Sequence, residues 1–226
     1  MIYSYKGSKI AASSKKEAIF KIIAKKEYLT VKDNIDNSNY KQYVGKKINV
    51  RGNVDLFHLE LKEIPIIFGT VSGYFDCSYN KLLSLEGCPT KVGKGFYCLN
   101  NSLTSLRGCP LEVSGDFYCS NNNLTSLEFS PEKVGKFFNC YNNKLISLKG
   151  CQEKIDGDFD CSYNNLISLK YSPKYINGNF DCSCNDLISL EGCPKYVKEY
   201  FKCFNNKNKF TEKEIKEKCK ARYSTV

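Results

Sequence analysis

The sequence predicts a solenoid of stacked 21-residue coils, and three recurring columns predict it. Cysteine falls at Cys77, Cys98, Cys119, Cys140, Cys161, Cys182 and Cys203. Asparagine keeps the same step through Asn80, Asn101, Asn122, Asn143, Asn164, Asn185 and Asn206, and phenylalanine through Phe75, Phe96, Phe117, Phe138, Phe159, Phe180 and Phe201. A fixed period of this length marks a repeat array in which each coil buries the apolar face of the next.

Each column has a physical reason. Phe75 and Cys77 are two apart, the period of a strand, so both point inward and the residues between and after them point out. The asparagine then leaves the strand. Its amide donates and accepts, so a stack of such amides satisfies backbone groups of neighbouring coils inside an apolar interior. Leucine columns starting at Leu82 and Leu85, and the column Val92, Val113, Val134, Ile155, Ile176 and Val197, fill the remaining core. Each buried Phe or Leu contributes about 1.5–3 kcal/mol relative to exposure, ample to drive stacking.

In chain order, residues 1–52 precede the repeat and read as an N-terminal cap with a short strand and an amphipathic helix. The strand falls within Met1 to Ile10, and the helix runs from about Lys15 to Lys26. Ser14 and Glu17 match a capping box, and Ile19, Ile22 and Ile23 share one helical face. Residues 32–47 are polar, rich in turn formers, and read as a connection. Residues 53–206 hold the repeats: one degenerate coil, six full copies and a half copy. In the degenerate coil Val54, Leu56, Leu59, Leu61 and Ile64 stand where the first full copy has Phe75, Cys77, Asn80, Leu82 and Leu85. Residues 207–226 read as a C-terminal cap. There Thr211 and Glu214 match a second capping box, Phe210 and Ile215 are placed for a hydrophobic staple, and a helix is expected from about Glu212 to Lys220.

The sentence F-x-C-x-x-N-x-L-x-x-L resembles the leucine-rich repeat, L-x-x-L-x-L-x-x-N-x-L, with Phe and Cys in the two strand positions. The resemblance covers about residues 54–206. The coil length and endings such as GCPTKV and SPEKV look like the short bacterial subclass, and the whole sentence is similar to sequences carried by bacteria and their phages. The resemblance implies a horseshoe with a parallel β-sheet on its concave face and extended or turn segments on its convex face. Short capping helices are expected at both ends.

Thirteen cysteines raise the question of metal or redox chemistry. No CxxC pair occurs, and the single CxC is Cys182 with Cys184, whereas tetrahedral zinc sites want two close pairs. A second column, Cys88, Cys109, Cys151 and Cys193, gives way to Ser130 and Ser172, where the preceding Gly becomes Phe129 or Tyr171. That exchange reads as volume compensation at a packing site, so the cysteines are expected to be reduced and structural, with no metal. Cys184 is the exception, at an outward position where other coils have Tyr or Asn.

No apolar run is long enough to span a membrane, no signal-peptide layout opens the chain, and a cytoplasmic location is expected. Enzyme chemistry is not expected. The chain has one histidine, His58, and lacks a Gly-rich phosphate loop, HExxH and GxSxG, so neither catalytic residues nor cofactors are assigned.

The outward columns carry Tyr, Ser, Asn and Asp, the vocabulary of a protein-binding surface. The candidate binding residues are Asp76, Tyr79, Tyr97, Asp116, Tyr118, Tyr141, Asp160, Tyr163 and Asp181. Charge separates the surfaces: the formal net is +8 over residues 1–52, +4 over 207–226 and −2 between them. The expected partner is therefore a protein with a basic or mixed patch. The alternative is nucleic acid held by the basic caps, with Lys15, Lys16, Lys21, Lys25 and Lys26 at the N-terminal end.

Overall fold

The computed structural model describes residues 28–226, together with the backbone of an antiparallel pair, Ile2–Tyr5 with Ser8–Ala11. The helix expected over Lys15–Lys26 lies outside the described residues.

The chain is a parallel β-solenoid. Two-residue strands at Val54–Asp55, Phe75–Asp76, Phe96–Tyr97, Phe117–Tyr118, Phe138–Asn139, Phe159–Asp160 and Phe180–Asp181 stack in parallel, each partner one coil on. Tyr196–Lys202 ends this phenylalanine ladder. A second parallel ladder corrects the expectation of a sheet on one face only. Lys91–Val92, Glu112–Val113 and Lys133–Val134 pair with one another, as do Lys154–Ile155 and Tyr175–Ile176, where convex extended segments were expected. The result is a β-helix. The buried valine column explains it, because once Val92 and Val113 are stacked their neighbours' N–H groups reach the adjacent coil, as Ser114 does to the Val92 carbonyl at 3.0 Å.

The solenoid also starts earlier than residue 53. Leu29–Val31 pairs in parallel with Lys47–Val50, which pairs with Ile67–Val71, and Ile35 bridges Val54. The stretch expected to be a connection is thus part of a coil, with a 3-10 turn at Tyr40–Tyr43. Its contacts reach 19 residues along the chain, as in the bond from the Asn53 N–H to Asn34 Oδ1, so the 21-residue step misses it.

Inside, the seven phenylalanines of the ladder are fully buried, with neighbouring ring centroids 4.9–5.9 Å apart, some stacked and some edge-on. Beside them the cysteine thiols donate to carbonyls of the next coil, Cys140 to Asp160 at 3.2 Å. The asparagine ladder does what its amide allows. Asn143 Nδ2 donates to the carbonyls of Cys119 and Cys140, both at 3.1 Å, while its Oδ1 accepts the Leu124 N–H at 3.0 Å. Each amide therefore ties two coils and answers the buried backbone groups at that corner.

The glycine-to-aromatic exchange is not a volume swap. Phe129 and Tyr171 adopt φ of 70° and 69°, in the column where Gly87, Gly108, Gly150 and Gly192 are also left-handed, and their rings are exposed. Ser130 and Ser172 replace cysteine by a hydrogen bond instead, donating to the carbonyls of Gly150 at 2.8 Å and Gly192 at 2.7 Å.

At the C-terminal end a helix runs over Glu212–Lys218, and both bonds of its capping box form: Thr211 Oγ1 accepts the Glu214 N–H, and the Glu214 carboxylate accepts the Thr211 N–H. Phe210 and Ile215 are buried as a staple requires. The helix stops before Lys220 because the chain turns extended at Cys219 and adds a strand, Lys220–Thr225, parallel to Tyr196–Lys202. No helix among the described residues is long and apolar enough to cross a membrane.

Candidate functional site

The outer face of the phenylalanine ladder presents the residue that follows each Phe, or Val54 in the first strand: Asp55, Asp76, Tyr97, Tyr118, Asn139, Asp160, Asp181 and Lys202. All eight are half-buried. The carboxylates first serve the scaffold. Asp76, Asp160 and Asp181 each accept the N–H two residues on, at 2.8, 2.9 and 3.0 Å, and Asp160 also accepts the Ser162 hydroxyl. Burial raises the carboxyl of Asp76 and that of Asp160, against the lowering effect of these hydrogen bonds. Asp116 stands one residue before its strand, where its Oδ1 accepts the Phe137 N–H of the next coil; Asp158 does the same for Asn179 at 2.8 Å.

The tyrosines form pairs. Tyr97 and Tyr118 have ring centroids 5.6 Å apart and tilted by 35°, and Tyr141 and Tyr163 are 5.1 Å apart. Gly95 makes room for the first pair, since a Cβ there would lie within 2.7 Å of the Tyr97 ring. Burial raises the phenols of Tyr97 and Tyr118, and nearby carboxylates add to it: Asp116 and Asp76 for Tyr97; Asp116, Asp158 and Asp160 for Tyr118. The structure thus gathers Tyr97, Tyr118, Asp116 and Asp160 on one stretch of face. Tyr141 and Tyr163 form a separate pair, Tyr79 packs against Phe57 at 5.1 Å, and Asp181 is answered by Lys202 at 3.8 Å.

The column two residues beyond the buried cysteine or Leu56, expected to face out from the strand, lies past the strand's end. His58, Tyr79, Asn100, Asn121, Asn142, Tyr163, Cys184 and Asn205 are not strand residues; all eight have φ between 50° and 56°. Asparagine is common there because it tolerates the left-handed region. Tyr79 and Tyr163 hold it under strain with their side chains exposed. Tyr163→Asn is therefore expected to stabilise the fold by about 0.5–1 kcal/mol, read as a rise of about 1–4 °C in melting temperature. An unchanged or lowered midpoint would mean that the ring contact with Tyr141 outweighs the backbone strain.

Ile146, Ile167 and Ile188 form an exposed apolar strip on consecutive coils that sequence reasoning missed, at 65%, 55% and 64%, with Leu83 in the same column at 68% but set apart from them by Thr104 and Thr125. It was legible as the variable position inside L-x-S-L. On the valine-ladder side, a groove of about 440 Å³ is lined by Thr30, Asn49, Arg51, Thr70, Ser72 and Lys91. No family model, curated protein or solved structure matches the chain.

Proposed function

We propose that the chain is a non-catalytic binding module that holds a protein partner on the outer face of the phenylalanine ladder. The observation that carries this reading is the pair Tyr97 and Tyr118, large rings held half-buried on a rigid sheet beside carboxylates. Such rings contribute contact area at low entropic cost. Under this reading the repeat is a short-coil form of the leucine-rich repeat, of bacterial or phage type. It works in a reducing cytoplasmic compartment, in keeping with thirteen cysteines of which none is disulfide-bonded.

The test is affinity capture from nuclease-treated lysate, with Tyr97→Ala/Tyr118→Ala/Asp160→Asn in parallel. Asparagine retains the acceptor that Ser162 needs, so circular dichroism and melting are expected to match the wild type. A protein enriched by the wild type and lost by the variant is the expected result, and equal enrichment by both removes the reading.

A second reading has its own observation. The groove offers the hydroxyls of Thr30 and Ser72 and the Arg51 guanidinium, with Lys91 held by Glu112 at 2.7 Å, and it suits phosphate groups of a nucleic acid. It predicts binding that weakens steeply with salt.

A further inference from the structure

Four of the six carboxylates on the phenylalanine-ladder face are spaced along the solenoid axis at steps of two coils, with Asp55 one coil before them and Asp181 one coil after. Asp76, just after Phe75, is followed two coils on by Asp116, just before Phe117 and so two residues to the side along the strand, and two coils further by Asp158 and Asp160, on either side of Phe159. Asp116, Asp158 and Asp160 each spend Oδ1 on the scaffold, and their second oxygens meet no donor among the described residues. None of the four forms an ion pair there, in contrast to Asp181 with Lys202, whose charge also acts on Asp160. Between them lie Tyr97 and Tyr118, with no lysine or arginine over either ring among the described residues. Aromatic faces and uncompensated carboxylates both attract cations. The field is local, because the chain as a whole carries +10.

Geometry narrows the occupant. Strands of a sheet lie about 4.8 Å apart, so two coils span about 9.6 Å. An extended peptide rises about 3.1–3.4 Å per residue, so that span matches three residues. We infer that this face takes an extended segment of a partner protein, laid along the solenoid axis, with arginine or lysine at every third residue. Arginine is the better fit, since its planar fork pairs with a carboxylate and stacks on a ring at once. The inference rests on the protein-binding reading above and names its partner's chemistry.

The test uses the full chain and a fluorescein-labelled Arg-Gly-Gly-Arg-Gly-Gly-Arg peptide, titrated by fluorescence anisotropy at about 150 mM salt, where exposed long-range attraction is screened. Two comparison peptides carry citrulline for arginine, or the three arginines side by side. The spaced peptide is expected to bind, the citrulline peptide to lose about tenfold or more, and the clustered one to bind more weakly. Asp116→Asn/Asp158→Asn, which keeps both scaffold acceptors, is expected to lose about tenfold as well. Tyr97→Phe/Tyr118→Phe should retain binding that Tyr97→Leu/Tyr118→Leu loses.

No binding of the spaced peptide, equal binding of the citrulline form, or full binding by the Asn variant overturns the inference. A captured partner that depends on this face but is not displaced by the arginine peptide overturns it too, and leaves the protein-binding reading standing. If no face-dependent partner is captured, the reading itself falls.

Discussion

Raised from neutral pH to about 10.5 in the presence of a reductant, the solenoid is expected to unfold cooperatively without denaturant. The cause is its file of buried thiols. Burial pushes Cys98, Cys140, Cys161 and Cys182 well above the ordinary thiol range, and Cys119 also rises. Cys203 and Cys219, each 2% exposed, are pushed up to about 12. An unfolded thiol titrates near 8.5. The native chain therefore holds protons that the unfolded chain releases, so the stability from these groups is complete below about pH 8.5. It falls as pH rises toward the folded values. Two pH units above the unfolded value, Cys203 and Cys219 cost about 2–3 kcal/mol each. The deeper thiols add to this with the same sign, as do the raised phenols of Tyr97 and Tyr118. Against a total stability of about 5–15 kcal/mol, that sum is decisive. Melting followed by circular dichroism from about pH 7 to 11 should show a midpoint flat to about 8.5 and falling steeply beyond. Cys119→Ser/Cys161→Ser should flatten the fall, since serine does not ionise there. A midpoint that holds to about pH 11 would mean that water reaches the thiols in the native state.

How far this architecture is legible in the sequence follows from which constraints are periodic. Phe, Cys, Asn and Leu recur because each makes the same contact with the coil above and below, so identical spacing by itself implies stacking. The second ladder was hidden because its strands are two residues long and only one of each pair, such as Val92, is buried. A lone valine in a polar stretch carries no strand period. The early coil was hidden by its shorter step, which moves Val31 and Ile35 out of phase with every later column. At the candidate site the sequence identified residues that do face out, among them Tyr97, Tyr118, Asp116 and Asp160. It could not separate backbone demand from surface chemistry. Asn100, Asn121 and Asn142 stand where a left-handed residue is required, and Asp76 and Asp160 where a strand end needs an acceptor. Only the tyrosines and the unused carboxylate oxygens are left over once the scaffold's needs are met.

The same separation predicts the most damaging small substitution. Gly150→Ala adds one methyl group and is expected to cost about 2–5 kcal/mol, because strain and collision coincide. Gly150 has φ of 100°, and a Cβ there would meet the Leu127 carbonyl and lie 2.6 Å from the Glu128 Cα, all of it backbone. Phe129 and Tyr171 show that a side chain fits this column at φ near 70°, but each is flanked by glycines at the same position in the adjacent coils. Gly150 lies between those two aromatics, so Ala would make three side chains in succession. Relaxing its backbone would also disturb the carbonyl held by the Ser130 hydroxyl at 2.8 Å. Gly45→Ala supplies the comparison: φ is 75° there and nothing lies within 4 Å, so strain alone applies, at about 1–2 kcal/mol. Thermal melting should place the two apart, with Gly150→Ala lower by several degrees, on the order of 5–10 °C. Phe129→Gly introduced beside Gly150→Ala should recover part of the loss, because it frees the neighbouring coil to adjust. Equal melting of the Gly150→Ala and Gly45→Ala proteins would show that the coils shift freely against one another, and that the stacking contacts do not hold this column in place.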